Sequence, residues 1–157
     1  KGFNTNLFSY LFGSIVTVTT TDVYTMGVLA IIVSVTLLLF YKELVYITFD
    51  EEAARVSGLP TKLINAVLII LAAFTVSLSI PVVGVLLIAA LIVVPVVASL
   101  QLKKSFSETI FYAELISVLS VIAGIITSFY FNLSTGGTIV LIMLAVFLAL
   151  FIKNRES

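Results

Sequence analysis

Cysteine and histidine are both absent from this 157-residue chain. That excludes disulfides, Cys/His zinc sites, and any Cys–His or Ser–His–Asp nucleophile arrangement. With no cysteine, residue usage is also silent on the redox compartment. Charge is scarce: 10% of residues are charged and 61% are hydrophobic, where soluble domains carry about 25% charged residues. The eight basic and eight acidic residues cancel. No global field draws nucleic acid, and no basic patch supports DNA or RNA binding. No G-x-x-x-x-G-K-[ST] sequence occurs, so this chain is not itself a P-loop ATPase. The apolar runs hold no pair of ionisable residues for acid–base chemistry, which disfavours a membrane enzyme. Lys1–Asn4 leads directly into polar sequence without a signal-peptide pattern or an initiating Met, and the chain is expected to be a piece of a longer protein.

What is present is long uncharged sequence. No charge occurs from Val23 to Tyr41, from Leu63 to Leu102, or from Leu115 to Ile152, runs of 19, 40 and 38 residues. A helix needs about 20 apolar residues to cross the hydrocarbon core. The first run is therefore one span, and each of the others is long enough to fold back as two. The expected fold is all-α, a polytopic integral membrane protein with about five transmembrane helices, over residues 23–40, 62–79, 82–102, 109–131 and 138–152. Ser79–Ile80–Pro81 is the expected break in the first hairpin, because Pro81 lacks a backbone donor and disfavours helix in the residue before it. "NLSTGG" (Asn132–Gly137) supplies turn residues for the second. Pro95 should kink the third span or end its regular part. The apolar stretch Leu7–Val18 is too short to span and reads as interfacial or re-entrant. No internal repeat or second domain is evident.

Alternating the five spans places Lys42, Arg55, Lys62, Lys103, Lys104, Lys153 and Arg155 on one side and Lys1 alone on the other. The positive-inside bias makes the first side cytoplasmic. The chain would then begin outside and end inside, and missing upstream sequence would contribute an odd number of spans.

This orientation puts "YITFDEEAARVSGLP" (Tyr46–Pro60) in the cytoplasm. Thr48 with Glu51 fits a capping box, and Asp50 is an alternative N-cap. Asp50, Glu51 and Glu52 suit the positive end of a helix dipole, and Glu51 can pair with Arg55 four residues on. Gly58 suits a left-handed cap and Pro60 ends the element. The spacing predicts a helix of about eight residues within 49–58. Its small residues Ala53 and Ala54 would allow another surface to approach closely. Loop chemistry alone leaves two readings open: a solvated loop and a docking element for a cytoplasmic partner.

"FDEEAARVSGLP" followed by "VVGVLLIAALIVVPVVAS" (Val82–Ser99) resembles the permease subunits of zinc/manganese-type ABC importers. These show an acidic–Ala–x–x–x–Gly cytoplasmic loop and then a G-x-L-L…P helix. "SYLFGSIVTVTTTD" (Ser9–Asp22) resembles the family's extracellular Leu-Phe-Gly segment, and "GIITSFYFNLSTGGTIVLI" (Gly124–Ile142) its loop before the last helix. The resemblance implies about eight spans in the whole subunit and a second permease copy. It also implies ATPase subunits on the cytoplasmic side and an extracellular metal-binding protein that delivers the ion. It makes Asp50, Glu51, Ala53 and Gly58, with Glu52 and Arg55 beside them, the ATPase-coupling loop, and matches Gly84, Leu86, Leu87 and Pro95 to the following helix motif. Cobalamin/siderophore-type permeases are the nearest rival, but they usually show Pro-His-x-x-Arg where this chain has Pro95–Ser99. A scaffold subunit that does not transport is the competitor from another class.

Candidates for an ion path are few. Glu114 is the one ionisable group well inside an expected span, where such groups are functional by default, yet it is shallow enough to snorkel. Asp22 is a candidate ligand at the outer mouth or an ordinary helix-start residue. Asn65, Thr75 and Ser79 offer uncharged oxygens, Thr75 and Ser79 on one face and Ser77 off it. Hydroxyls in membrane helices more often bond their own backbone or a neighbouring helix. An oxygen-only set suits Mn²⁺ better than Zn²⁺. Gly84, Ala89, Ala90, Ala98, Ser99 and Gly124 read as close-packing positions.

Overall fold

The structure is a computed structural model that describes residues 18–155 together with Leu11. Lys1, the remainder of Leu7–Val18 and the side chain of Arg155 lie outside the described residues. Regular structure among the described residues is entirely helical: α1 Thr20–Leu39, α2 Tyr41–Phe49, α3 Glu51–Val56, α4 Thr61–Val83, α5 Val85–Leu100, α6 Phe106–Phe131 and α7 Thr135–Arg155. Four of them (α1, α4, α6 and α7) are long and apolar enough to cross a membrane. The third expected span is shorter than 82–102. Helix α5 has 16 residues, about 24 Å of rise against a hydrocarbon core of about 30 Å.

The break before α5 also falls later than Ser79–Pro81. Pro81 lies inside α4, which continues to Val83. The chain breaks at Gly84, buried and with φ 86 and ψ 150. Glycine takes that backbone at no steric cost, whereas a proline in a membrane helix is tolerated where its surroundings re-satisfy the freed carbonyl. Pro95 likewise lies inside α5 without ending it. The second break is tighter than Asn132–Gly137. Asn132 closes α6 in the left-handed region with φ 52 and ψ 39, and α7 begins at Thr135. Gly136 and Gly137 are thus in the first turn of α7.

The chain divides into two compact units, one covering Val18–Ser79 and the other containing everything from Ile80 onward. In the first, α1 opens with a capping box. Asp22 Oδ2 accepts from the Thr19 backbone N–H at 2.9 Å, and the Asp22 N–H reaches Thr19 Oγ1 at 3.3 Å. Thr25 and Thr36 return their hydroxyls to the carbonyls of Thr21 and Ile32, each at 2.8 Å. No residue of α1 is buried. The unit's core is small: Ile47 of α2, Ala54 of α3 and Ile64 of α4, with Leu44 and Leu59 packed against them.

In the second unit, α5, α6 and α7 pack on one another in all three pairings. Its core centres on Leu87, Ile139 and Met143. Helices α6 and α7 approach closely at Gly124, where an added Cβ would sit 2.8 Å from the Cα of Ile139. Ser105 and Glu108 form a second capping box at the start of α6. Three buried hydroxyls are satisfied locally: Ser99 by the Val96 carbonyl at 2.8 Å, Ser128 by the Ile125 carbonyl at 2.9 Å and the Thr135 hydroxyl at 3.2 Å, and Thr138 by the Ser134 carbonyl at 2.8 Å.

Candidate functional site

The charged stretch after α1 folds as two short helices. Helix α2 continues almost directly from α1, with only Phe40 between them, so the chain is helical well past Tyr41. Thr48 therefore sits inside α2 and donates its hydroxyl to the Leu44 carbonyl at 2.7 Å. It forms no capping box with Glu51. Asp50, the alternative cap, takes that place. Its backbone is extended at φ −154 and ψ 92, and Oδ1 accepts from the Ala53 N–H at 2.8 Å. Such a carboxylate satisfies one of the amides a helix leaves open at its start. Glu51 and Glu52 fill the first turn, and Glu51 Oε1 lies 3.6 Å from the Arg55 guanidinium.

The other end of α3 is closed by backbone geometry. Gly58 has φ +89. Its N–H bonds the Arg55 carbonyl at 3.0 Å, and the Leu59 N–H bonds the Ala54 carbonyl at 3.2 Å. These are the two bonds of a Schellman motif, and Leu59 packs against the cluster that holds Ala54. Pro60 then leaves its carbonyl free to accept from Leu63 and Ile64 at the start of α4. Helix α3 is six residues long rather than eight, because Asp50 and Ser57 are its caps.

These constraints give α3 an inner and an outer face. Ala54 is fully buried, while Glu51, Glu52, Arg55 and Val56 are exposed, Val56 to 86%. The expectation that Ala54 would admit an outside surface is corrected: the surface it admits is the Ile47–Ile64 core of its own chain. Ala53 is half-buried. Two residues that sequence reasoning passed over also belong here. Tyr46 Oη lies 3.1 Å from Ser57 Oγ, and Ser57 Oγ donates to the Ala53 carbonyl at 2.8 Å. No local motif marks that pair, which is eleven residues apart.

The helix motif after the loop has structural roles. Gly84 makes the break, Leu87 is 4% exposed in the core of the second unit, and Pro95, further along α5, is fully buried. Leu86 is exposed. The candidate ion-path residues each have their own surroundings. Asp22 is engaged by Thr19, and Thr75 donates to the Leu71 carbonyl at 2.8 Å. Asn65 and Ser79 are half-buried and Glu114 is exposed. Among the described residues no three of Asp, Glu, His or Cys come together as a metal site.

Known proteins give this geometry its context. The chain is 39% identical over 138 residues to the "Probable metal transport system membrane protein" of Treponema pallidum, covering 88% of this chain and 52% of that one. It is 31% identical over 156 residues to the "High-affinity zinc uptake system membrane protein ZnuB" of Haemophilus influenzae, covering 99% and 60%. Among solved structures it superposes on "PsaBC from Streptococcus pneumoniae in complex with Fab" with a TM-score of 0.85 and 27% identity, over 96% of this chain and 54% of that one. The chain thus spans little more than half the length of the proteins it matches. The model of the ABC 3 transport family matches residues 1–154, and the chain, a multi-pass helical membrane protein as its sequence implied, belongs to that family.

Proposed function

We propose that this chain supplies membrane-spanning helices of the permease subunit of an ATP-driven, binding-protein-dependent importer of divalent transition-metal ions, situated in the cell membrane. The observation that carries the reading is α3, a helix capped at both ends, backed by its own core, and lying between two membrane-length helices in an ABC-3 family chain. A separate cytoplasmic ATPase chain would seat on its exposed face, formed by Glu51, Glu52, Arg55 and Val56. A cap at each end and Ala54 in the core make α3 stiff enough to transmit a push instead of bending under it. Closure of the ATPases on ATP would drive the spans between outward- and inward-open states. The chain's own contribution is mechanical, and the metal ion is cargo. A second permease copy would complete the path, and an extracellular metal-binding protein would load it. The bias of seven basic residues to one side supports a cytoplasmic loop and a cytoplasmic C-terminus.

The test uses the full-length complex reconstituted in liposomes. ATP-dependent uptake of Zn²⁺, Mn²⁺ or Fe²⁺ is expected, and Gly58→Asp combined with Glu51→Arg should abolish both ATPase association and uptake. Indifference to all three metals, or normal association and uptake by the double variant, overturns the reading.

A further inference from the structure

Helix α3 is too short to hold its own orientation. Six residues rise only about 9 Å, and a helix that size is marginal without tertiary support. Its N-terminal support is the bond from the Asp50 N–H to the Tyr46 carbonyl, at 2.9 Å. The Tyr46 hydroxyl meets Ser57, the cap at the opposite end, at 3.1 Å. The proton direction follows from the third bond. Ser57 has one O–H, and it is given to the Ala53 carbonyl at 2.8 Å. Tyr46 is therefore the donor to Ser57 Oγ. A single residue of α2 thus holds both ends of α3, one through its backbone and the other through its side chain.

We infer that Tyr46 and Ser57 are positioning residues for energy coupling: the Tyr46–Ser57–Ala53 hydroxyl chain locks α3 to α2, so that displacement of α3 is carried into α2 and the span before it. The inference rests on the docking role proposed above for α3. The Ile47–Ala54–Ile64 core holds the inner face of α3 but contains nothing directional, since apolar contacts resist separation better than rotation. The hydroxyl chain supplies the resistance to rotation. Tyr46 and Ser57 are both exposed in this chain, where water competes for such bonds and weakens them. A docked partner that excludes water strengthens them, as the lower local dielectric does for any hydrogen bond. The lock would then be stiffest when force is applied.

The test measures metal uptake per ATP hydrolysed in the full-length complex. Tyr46→Phe and Ser57→Ala should each lower that ratio about fivefold, the worth of one hydrogen bond, while ATPase co-purification and total hydrolysis are retained. The double variant should be no worse than either single one, because both remove the same chain of bonds. Ser57→Thr, which keeps the hydroxyl, should restore the ratio. Glu52→Cys places a cross-linking site for the ATPase on the exposed face of α3, within a 157-residue stretch that has no other cysteine. A cross-link together with an unchanged uptake ratio in Tyr46→Phe overturns the lock and leaves the docking role standing. Failure to cross-link during ATP-driven uptake overturns the docking role and the lock with it.

Discussion

The two units of this chain bury their residues in different places. In the first unit the buried residues of the helices lie together at the charged end: Ile47, Ala54, Thr61 and Ile64. The membrane-length helix α1 has none, and α4 has none beyond its first turn. In the second unit burial runs along the helices, from Leu87 through Ser99 on α5, from Ser120 to Ser128 on α6, and at Thr138, Ile139 and Met143 on α7. The difference teaches what holds each unit together. Lipid is as apolar as leucine, so helices inside a membrane gain little from apolar burial and rely on close approach and local hydrogen bonds. Gly124 against Ile139, and the self-satisfied hydroxyls of Ser99, Ser128 and Thr138, follow that rule. A short charged helix facing water relies instead on caps and on a small core removed from solvent.

The contrast can be broken most severely at Gly124. Gly124→Val places a branched side chain where even a Cβ meets the backbone of Ile139. Overpacking of this kind should cost about 3 kcal/mol, seen as loss of folded protein on heating in detergent. A variant as stable as the parent would remove close approach as the basis of the second unit. Ala54→Leu should cost about 2 kcal/mol by the same mechanism, but locally. Amide exchange should accelerate in α3 while α6 and α7 keep their protection, and equal acceleration in both units would erase the distinction between them.

Cap substitutions come next. At Gly58 an added Cβ meets nothing within 4 Å, so Gly58→Ala isolates the backbone term of a left-handed residue, about 1 kcal/mol. Asp50→Ala should lose a similar amount, about 1 kcal/mol, through the missing bond to the Ala53 N–H. Exchange rates in the first and last turns of α3 distinguish the two. The smallest effect belongs to the Glu51–Arg55 pair, whose side chains are 48% and 59% exposed. Arg55→Gln should cost about 0.3 kcal/mol at low salt and nothing measurable at high salt. A larger, salt-resistant loss would mean that Arg55 has a second partner.

Much of this was legible along the chain because its causes are local. Of the five spans that the uncharged runs imply, four are helices long enough to cross a membrane. Gly58 as a left-handed cap and Glu51–Arg55 as a pair follow from spacing alone. The errors arose where two local signals competed. Thr48 and Asp50 both suit an N-cap; the choice was made by α2, which runs through Thr48 and leaves its hydroxyl bonded to Leu44. Pro81 and Gly84 both suit a break. Glycine took it, because only there does the backbone enter positive φ. The proposed site was partly visible, in Asp50 through Gly58. Tyr46 and Ser57 were not, since a hydroxyl contact across eleven residues has no sequence period to mark it.

From sequence alone, the chain's class, its helical segments, and the place of its charged interruption were determined. Each depends on hydropathy and backbone hydrogen bonding, which a residue and its near neighbours settle among themselves. Only the tertiary structure decided which side of α3 faces inward, that Ala54 meets Ile47 and Ile64, and that Tyr46 reaches around to Ser57. A six-residue helix turns less than twice, too few residues for a period to single out a face. The face was chosen by the helices on either side, whose Ile47 and Ile64 cluster with the buried Ala54.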